Sequence, residues 1–276
     1  MREVLVIGRF WNLLDAAAFY LAYLCSGLIA RLILLIANCI ITALDYSANH
    51  VIFDSERFFD QVIRATESSQ IAILILSNLV ALALVFLIIH LRGAQLKKYT
   101  ALADTKVSNI CGAVICGVLL NSIIASIMAI LPQDILALKQ YDTFVLEFLN
   151  DNLLLVVPAV ILVAPVVEEF VFRGALYRAL SRGLGTVAAC VITSAVFAVA
   201  HADPVQMIYA FLLGLVLAIT RARSGRLAPC IALHIAFNAA NFIKTSVSEV
   251  PFFVLVALLV PAAWITLRSP RRTTAV

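Results

Sequence analysis

Charge is what this chain has least of: Asp, Glu, Lys and Arg make up 13% of its 276 residues, hydrophobic residues 63%, and the mean hydropathy is +1.05. A soluble domain carries about 25% charged residues, so an ordinary water-soluble fold is excluded. Glycine and proline are sparse, at ten and eight, and no linker rich in them divides the chain, which predicts one membrane domain. No C-x-x-C pair occurs among Cys25, Cys39, Cys111, Cys116, Cys190 and Cys230. All six fall in apolar runs and read as packing residues. Phosphate-binding and dinucleotide glycine patterns are absent, as is H-E-x-x-H. Ser194 and Cys190 lie outside any nucleophile turn. The net charge of +4 comes without an arginine-rich, aromatic-interleaved run, so no nucleic-acid partner is expected.

What is there instead is long apolar runs. A spanning helix needs roughly 20 of them in sequence, and eight segments qualify: about 17–44 (interrupted by Arg31), 71–91, 107–131, 152–172, 184–201, 205–220, 227–243 and 251–267. The predicted fold is therefore all-α, a polytopic membrane helical bundle of about eight transmembrane helices with the lipid bilayer as its solvent. Assigning loops alternately to two sides puts fifteen of the twenty Lys and Arg on one side and four on the other. By the positive-inside rule both termini are then cytoplasmic. The first apolar run is too long for a cleavable signal. Short loops suggest a prokaryotic plasma membrane. Residues 1–150 hold N-terminal helices and long loops, 151–268 a core half of the same domain, and 269–276 a cytoplasmic tail. The segments 135–148 and 45–70 have the amphipathic character of interfacial helices.

Three polar motifs interrupt residues 151–268. The first, Glu168-Glu169-Phe170-Val171-Phe172-Arg173, ends an apolar run. Glu169 and Arg173 are i,i+4 neighbours and can pair, whereas Glu168 is turned about 100° away and stays unpartnered. Intramembrane acids usually mark a functional site; the bland alternative is a solvated helix end. Phe197 and His201 share one face of the next helix, where a lone histidine could simply be interfacial. His234 and Asn238 share a face within 227–243, where a structural helix–helix hydrogen bond is the alternative. Counted from a turn at Gly183, Glu168 and His201 lie about 22 and 27 Å along an antiparallel pair, at 1.5 Å per residue. His234 lies only about 10 Å past the arginine-rich loop 221–226 on the same scale, which leaves a depth mismatch.

Taken in order, E-E-x-x-x-R, F-x-x-x-H and H-x-x-x-N resemble the CAAX-protease and bacteriocin-processing family of glutamate-type intramembrane endopeptidases. The resemblance covers the C-terminal half and implies hydrolysis of a membrane-associated or lipid-anchored protein, or of a peptide precursor. It implies Glu168 as general base, His201 helping to hold the water, His234 and Asn238 as oxyanion donors, and Glu169 and Arg173 as orienting residues, with no cofactor. Three alternatives stay open. Glu168, His201 and His234 could form a zinc site with Glu169 as base; the fold could serve as a non-catalytic scaffold or immunity protein; or the acids and histidines could relay protons in a transporter.

Overall fold

The computed structural model describes residues 2–100, 105–132, 134–150, 152–242 and 251–267. The 269–276 tail and Lys244 lie outside them. The described residues are helical, without strands: α1 (Arg2–Ala48), α2 (Ser55–Glu67), α3 (Gln70–Leu91), α4 (Lys97–Thr100), α5 (Val107–Ile130), α6 (Leu136–Asn150), α7 (Leu153–Pro158), α8 (Ala164–Glu169), α9 (Tyr177–Gly183), α10 (Thr186–Val199), α11 (Pro204–Ser224), α12 (Ala228–Ala240) and α13 (Phe252–Leu267). Two π turns, Ala159–Val163 and Phe170–Leu176, join α7, α8 and α9 into one run. Five stretches are long and apolar enough to cross a membrane: Gly8–Ala48, Gln70–Leu91, Val107–Ile130, Leu153–Gly183 and Pro204–Ser224. Three shorter apolar helices (α10, α12 and α13) complete the eight segments expected, and the chain is an integral, helical membrane bundle.

Two boundaries differ from expectation. Helix α1 begins well before residue 17, because its polar N-terminal turns continue the same helix. The fourth span continues past Phe172 to Gly183, so Arg173, Arg178 and Arg182 are helical rather than in a loop. Arg173 is fully buried and Arg221 nearly so, which removes both from the loop charge but leaves the bias in place. Segment 45–70 contains amphipathic α2, whose Phe58 and Val62 pack against Tyr46 of α1. Asp54 caps α2, its carboxylate accepting the N–H groups of Glu56 and Arg57. Helix α6 supplies buried Leu138, and its Tyr141 hydroxyl meets that of Tyr209 in α11 at 3.3 Å.

Two large clusters dominate the packing. One surrounds the 153–183 run with Phe19, Val85, Phe172 and Phe197. The other joins α5, α11, α12 and α13 through Leu120, Leu217, Leu233, Phe237 and Leu255. Between helices in lipid, close approach rather than water exclusion drives association, and Gly117 provides it. A Cβ there would fall on the Leu233 carbonyl oxygen and within 2.9 Å of Phe237 N. Gly117→Ala must therefore push α12 away from α5 beside His234. A loss of about 1–3 kcal/mol is expected, as for other overpacked cores, read as a lower unfolding midpoint in detergent.

Candidate active site

The site lies where those two clusters meet, and it begins with broken helix geometry. Asn152 starts the run by accepting the Leu154 N–H. Pro158 and Pro165 then bracket a stretch in which the backbone slips from i−4 to i−5 bonding, with the Ala164 N–H on the Ala159 carbonyl. In that register the Val160 carbonyl should receive the N–H of residue 165, but proline has none. Asn238 of α12 takes the orphaned acceptor, Nδ2 donating to Val160 O at 2.9 Å. The second π turn places the Tyr177 N–H on Phe172 O. Here the neighbouring Arg173 carbonyl accepts from Arg221 Nε of α11 at 3.1 Å. π turns inside helices concentrate at functional sites, and these two flank Glu168 and Glu169.

Glu169 and Arg173 form the ion pair expected from their spacing, Nη1 to Oε1 at 3.0 Å, with both side chains fully buried. Arg173 Nη2 also donates to Gly214 O at 3.1 Å, and its guanidinium lies 4.4 Å from the Phe197 ring centre. The same Glu169 Oε1 accepts from His234 Nδ1 at 3.0 Å. His234 Nε2 then faces Glu168 Oε2 at 3.8 Å. With Nδ1 committed as donor, Nε2 is the atom left for chemistry: a lone pair in the neutral ring, a donor when the ring carries a second proton. Among the described residues, Glu169 Oε2 and Arg173 Nε find no hydrogen-bond partner. A buried ion pair this incompletely satisfied is poor at stabilising a fold, which points to a role in placing His234.

His201 follows the end of α10 and its Nδ1 sits 2.8 Å from Phe197 O. A carbonyl only accepts, so Nδ1 carries the hydrogen, and in the neutral ring Nε2 presents a lone pair. Phe197 packs edge-on against both imidazoles, with ring centres 4.7 Å from His201 and 5.8 Å from His234. The structure therefore brings Glu168, Glu169, Arg173 and His234 into direct contact and joins His201 to them through Phe197. Asn238 gives one of its two amide hydrogens to Val160 O and keeps the second for another acceptor.

His234 reaches Glu168 despite its short distance from residues 221–226, because that segment is not all surface loop. Arg221 is drawn into the bundle by the Arg173 carbonyl, Leu227 is buried, and α12 therefore starts inside the protein. Two supporting residues escaped sequence reading. Arg221 resembles a loop cation in a linear sequence, although Gly225, in the left-handed conformation at φ +67°, marks the helix as ending only after it. Tyr23 of α1, edge-on to Phe172 at 4.9 Å, interacts with Glu168 from outside the motif region; no spacing signals it. Ser194 is occupied by the Cys190 carbonyl of its own helix. Among the described residues, no three His, Cys, Asp or Glu gather as metal ligands.

The architecture and its buried carboxylate–imidazole–guanidinium cluster define a polytopic helical membrane protein with a titratable site in its interior. Residues 150–240 match the family model described as Rce1-like, type II CAAX prenyl endopeptidase, in agreement with the CAAX-protease and bacteriocin-processing resemblance. That segment carries every motif residue from Glu168 to Asn238. The match covers under half of the chain and leaves α1 to α5, nearly all of α6, and α13 outside it. Comparisons with curated proteins and with solved structures gave no match.

Proposed function

We propose that this chain is an intramembrane endopeptidase that hydrolyses a peptide bond of a membrane-associated or lipid-anchored protein, or of a peptide precursor, with a water activated by Glu168. The observation that carries this reading is the relay in which Arg173 fixes Glu169, Glu169 holds His234 Nδ1, and His234 Nε2 is left facing Glu168. Amide hydrolysis needs a base for water and donors for the oxyanion.

Glu168 takes a proton as the water oxygen bonds to the scissile carbonyl carbon. His201 Nε2, an acceptor, orients the second hydrogen of that water. The tetrahedral oxyanion is stabilised by Nε2–H of doubly protonated His234 and by the second amide hydrogen of Asn238. Collapse breaks the C–N bond, and the Glu168 carboxyl returns its proton to the departing amine. No metal or cofactor enters these steps. The bilayer is the working medium, and the basic loops support a topology with both termini cytoplasmic.

The test is cleavage of an apolar decapeptide pool by the purified full chain in detergent, with and without a zinc chelator. Cleavage unaffected by chelator is the expected result. Chelator-sensitive cleavage replaces the glutamate mechanism with the zinc one. Proton-coupled uptake into liposomes without cleavage indicates a transporter. Neither activity, in protein that unfolds cooperatively, leaves a scaffold.

A further inference from the structure

Beyond the Glu168–His234 cluster, a cavity of about 320 Å³ opens between α5, α6, α11 and α12, lined among others by Asn121, Tyr141, Asp142, Tyr209, Phe237 and Asn241. Ligand pockets have about this volume, with apolar walls and a few convergent polar groups. Asn121 Nδ2 donates to Asn241 Oδ1 at 2.8 Å, which leaves Asn121 Oδ1 to accept and the Asn241 amide hydrogens to donate. The Tyr141 and Tyr209 hydroxyls pair at 3.3 Å, and Gln206 also hydrogen-bonds Tyr209.

Among the described residues that line this cavity, charge has one sign. Among the described residues, Asp142 is the carboxylate in the lining, the lining contains no Lys, Arg or His, and no ion pair engages Asp142. Asp203, the cap of α11, adds negative charge beside the tyrosine pair. A cationic group entering between apolar walls would meet acceptors in the Asp142 carboxylate, Asn121 Oδ1 and the phenol oxygens.

The cavity is also in reach of the reacting groups. Asn241 follows His234 by seven residues, about 10 Å along α12, and the Asp203 N–H bonds to the His201 carbonyl at 2.7 Å. An extended peptide advances about 3.3 Å per residue, so about three residues bridge the distance. We propose that this cavity is a specificity subsite that takes a lysine or arginine side chain standing about three residues from the scissile bond. The proposal rests on the peptidase reading for the word scissile, but not for the binding itself.

The experiment separates the two. Full-length protein carrying Glu168→Gln, which binds without turnover, is titrated with labelled apolar decapeptides that carry one Lys, Gln or Glu at each position in turn. With Asp142 intact, the best Lys peptide should bind about ten-fold more tightly than its Gln isostere, the range for a charge-assisted hydrogen bond. Asp142→Asn should collapse that ratio, and Asp142→Lys should invert it in favour of Glu. Equal binding of Lys and Glu peptides, or ratios untouched by either Asp142 substitution, overturns the subsite. A lysine preference that depends on Asp142, in a chain that with Glu168 restored cleaves none of these peptides, keeps the site and defeats the peptidase reading. In an active enzyme the favoured lysine should also fall at a fixed offset from the cut.

Discussion

Glu168→Gln should lower kcat by about 10²–10⁴-fold, the range for a lost general base, while leaving KM and the unfolding midpoint nearly unchanged. Glutamine preserves the volume and an acceptor oxygen opposite His234 Nε2, so packing around this buried side chain is kept. What it removes is the ability to hold a proton from water and hand it to the leaving amine. Cleavage kinetics measured beside thermal unfolding in the same detergent give the decisive pair of numbers. A variant that keeps wild-type kcat would transfer the base role away from Glu168, and the mechanism with it. Glu168→Asp is the informative companion: it restores proton affinity but draws the carboxylate back by one methylene. Partial recovery is expected, because a base must reach hydrogen-bonding distance of the water.

The contrast between the two glutamates was legible before any coordinates. Spacing alone assigned Glu169 to Arg173 and left Glu168 free, because i,i+4 positions share a helix face and i,i+1 positions do not. The apolar runs likewise gave the eight helical segments, since hydropathy over about 20 residues is a strong signal. What linear reading missed depends on long-range geometry. Arg221 looked like loop charge, yet it is drawn inward by the Arg173 carbonyl 48 residues earlier in the chain. Asn238 has a second task that no spacing announces, since an acceptor orphaned by Pro165 engages one of its two amide hydrogens. Pro158 and Pro165 were visible as residues, but which carbonyl they would strand, and which distant amide would answer it, follows only from the register of the π turn. Tyr23 shows the same limit, since nothing in α1 announces that one phenol faces Glu168.

Arg173→Ala is expected to be the most destabilising substitution at the site, and Glu169→Ala nearly as severe. Removing one partner leaves the other buried and uncompensated, at about 3–5 kcal/mol. For Arg173→Ala the penalty falls on Glu169, which is fully buried and keeps only His234 as a donor. The loss also frees the Gly214 carbonyl and strips the cation from the Phe197 face. Replacing both charges, Glu169→Gln with Arg173→Met, should recover much of the stability, because an apolar or neutral pair needs no desolvation of charge. A double-mutant cycle should accordingly give a coupling of about 0.5–3 kcal/mol. Activity should not return with it. The neutral amide at 169 can still accept from His234 Nδ1 but no longer carries the charge that balances a doubly protonated ring. A stable, folded and inactive double variant would mean that the ion pair exists to aim and charge His234. If the double variant instead recovered cleavage along with stability, Glu169 and Arg173 would be scaffolding alone, and the relay from Arg173 to Glu168 would have no part in the reaction.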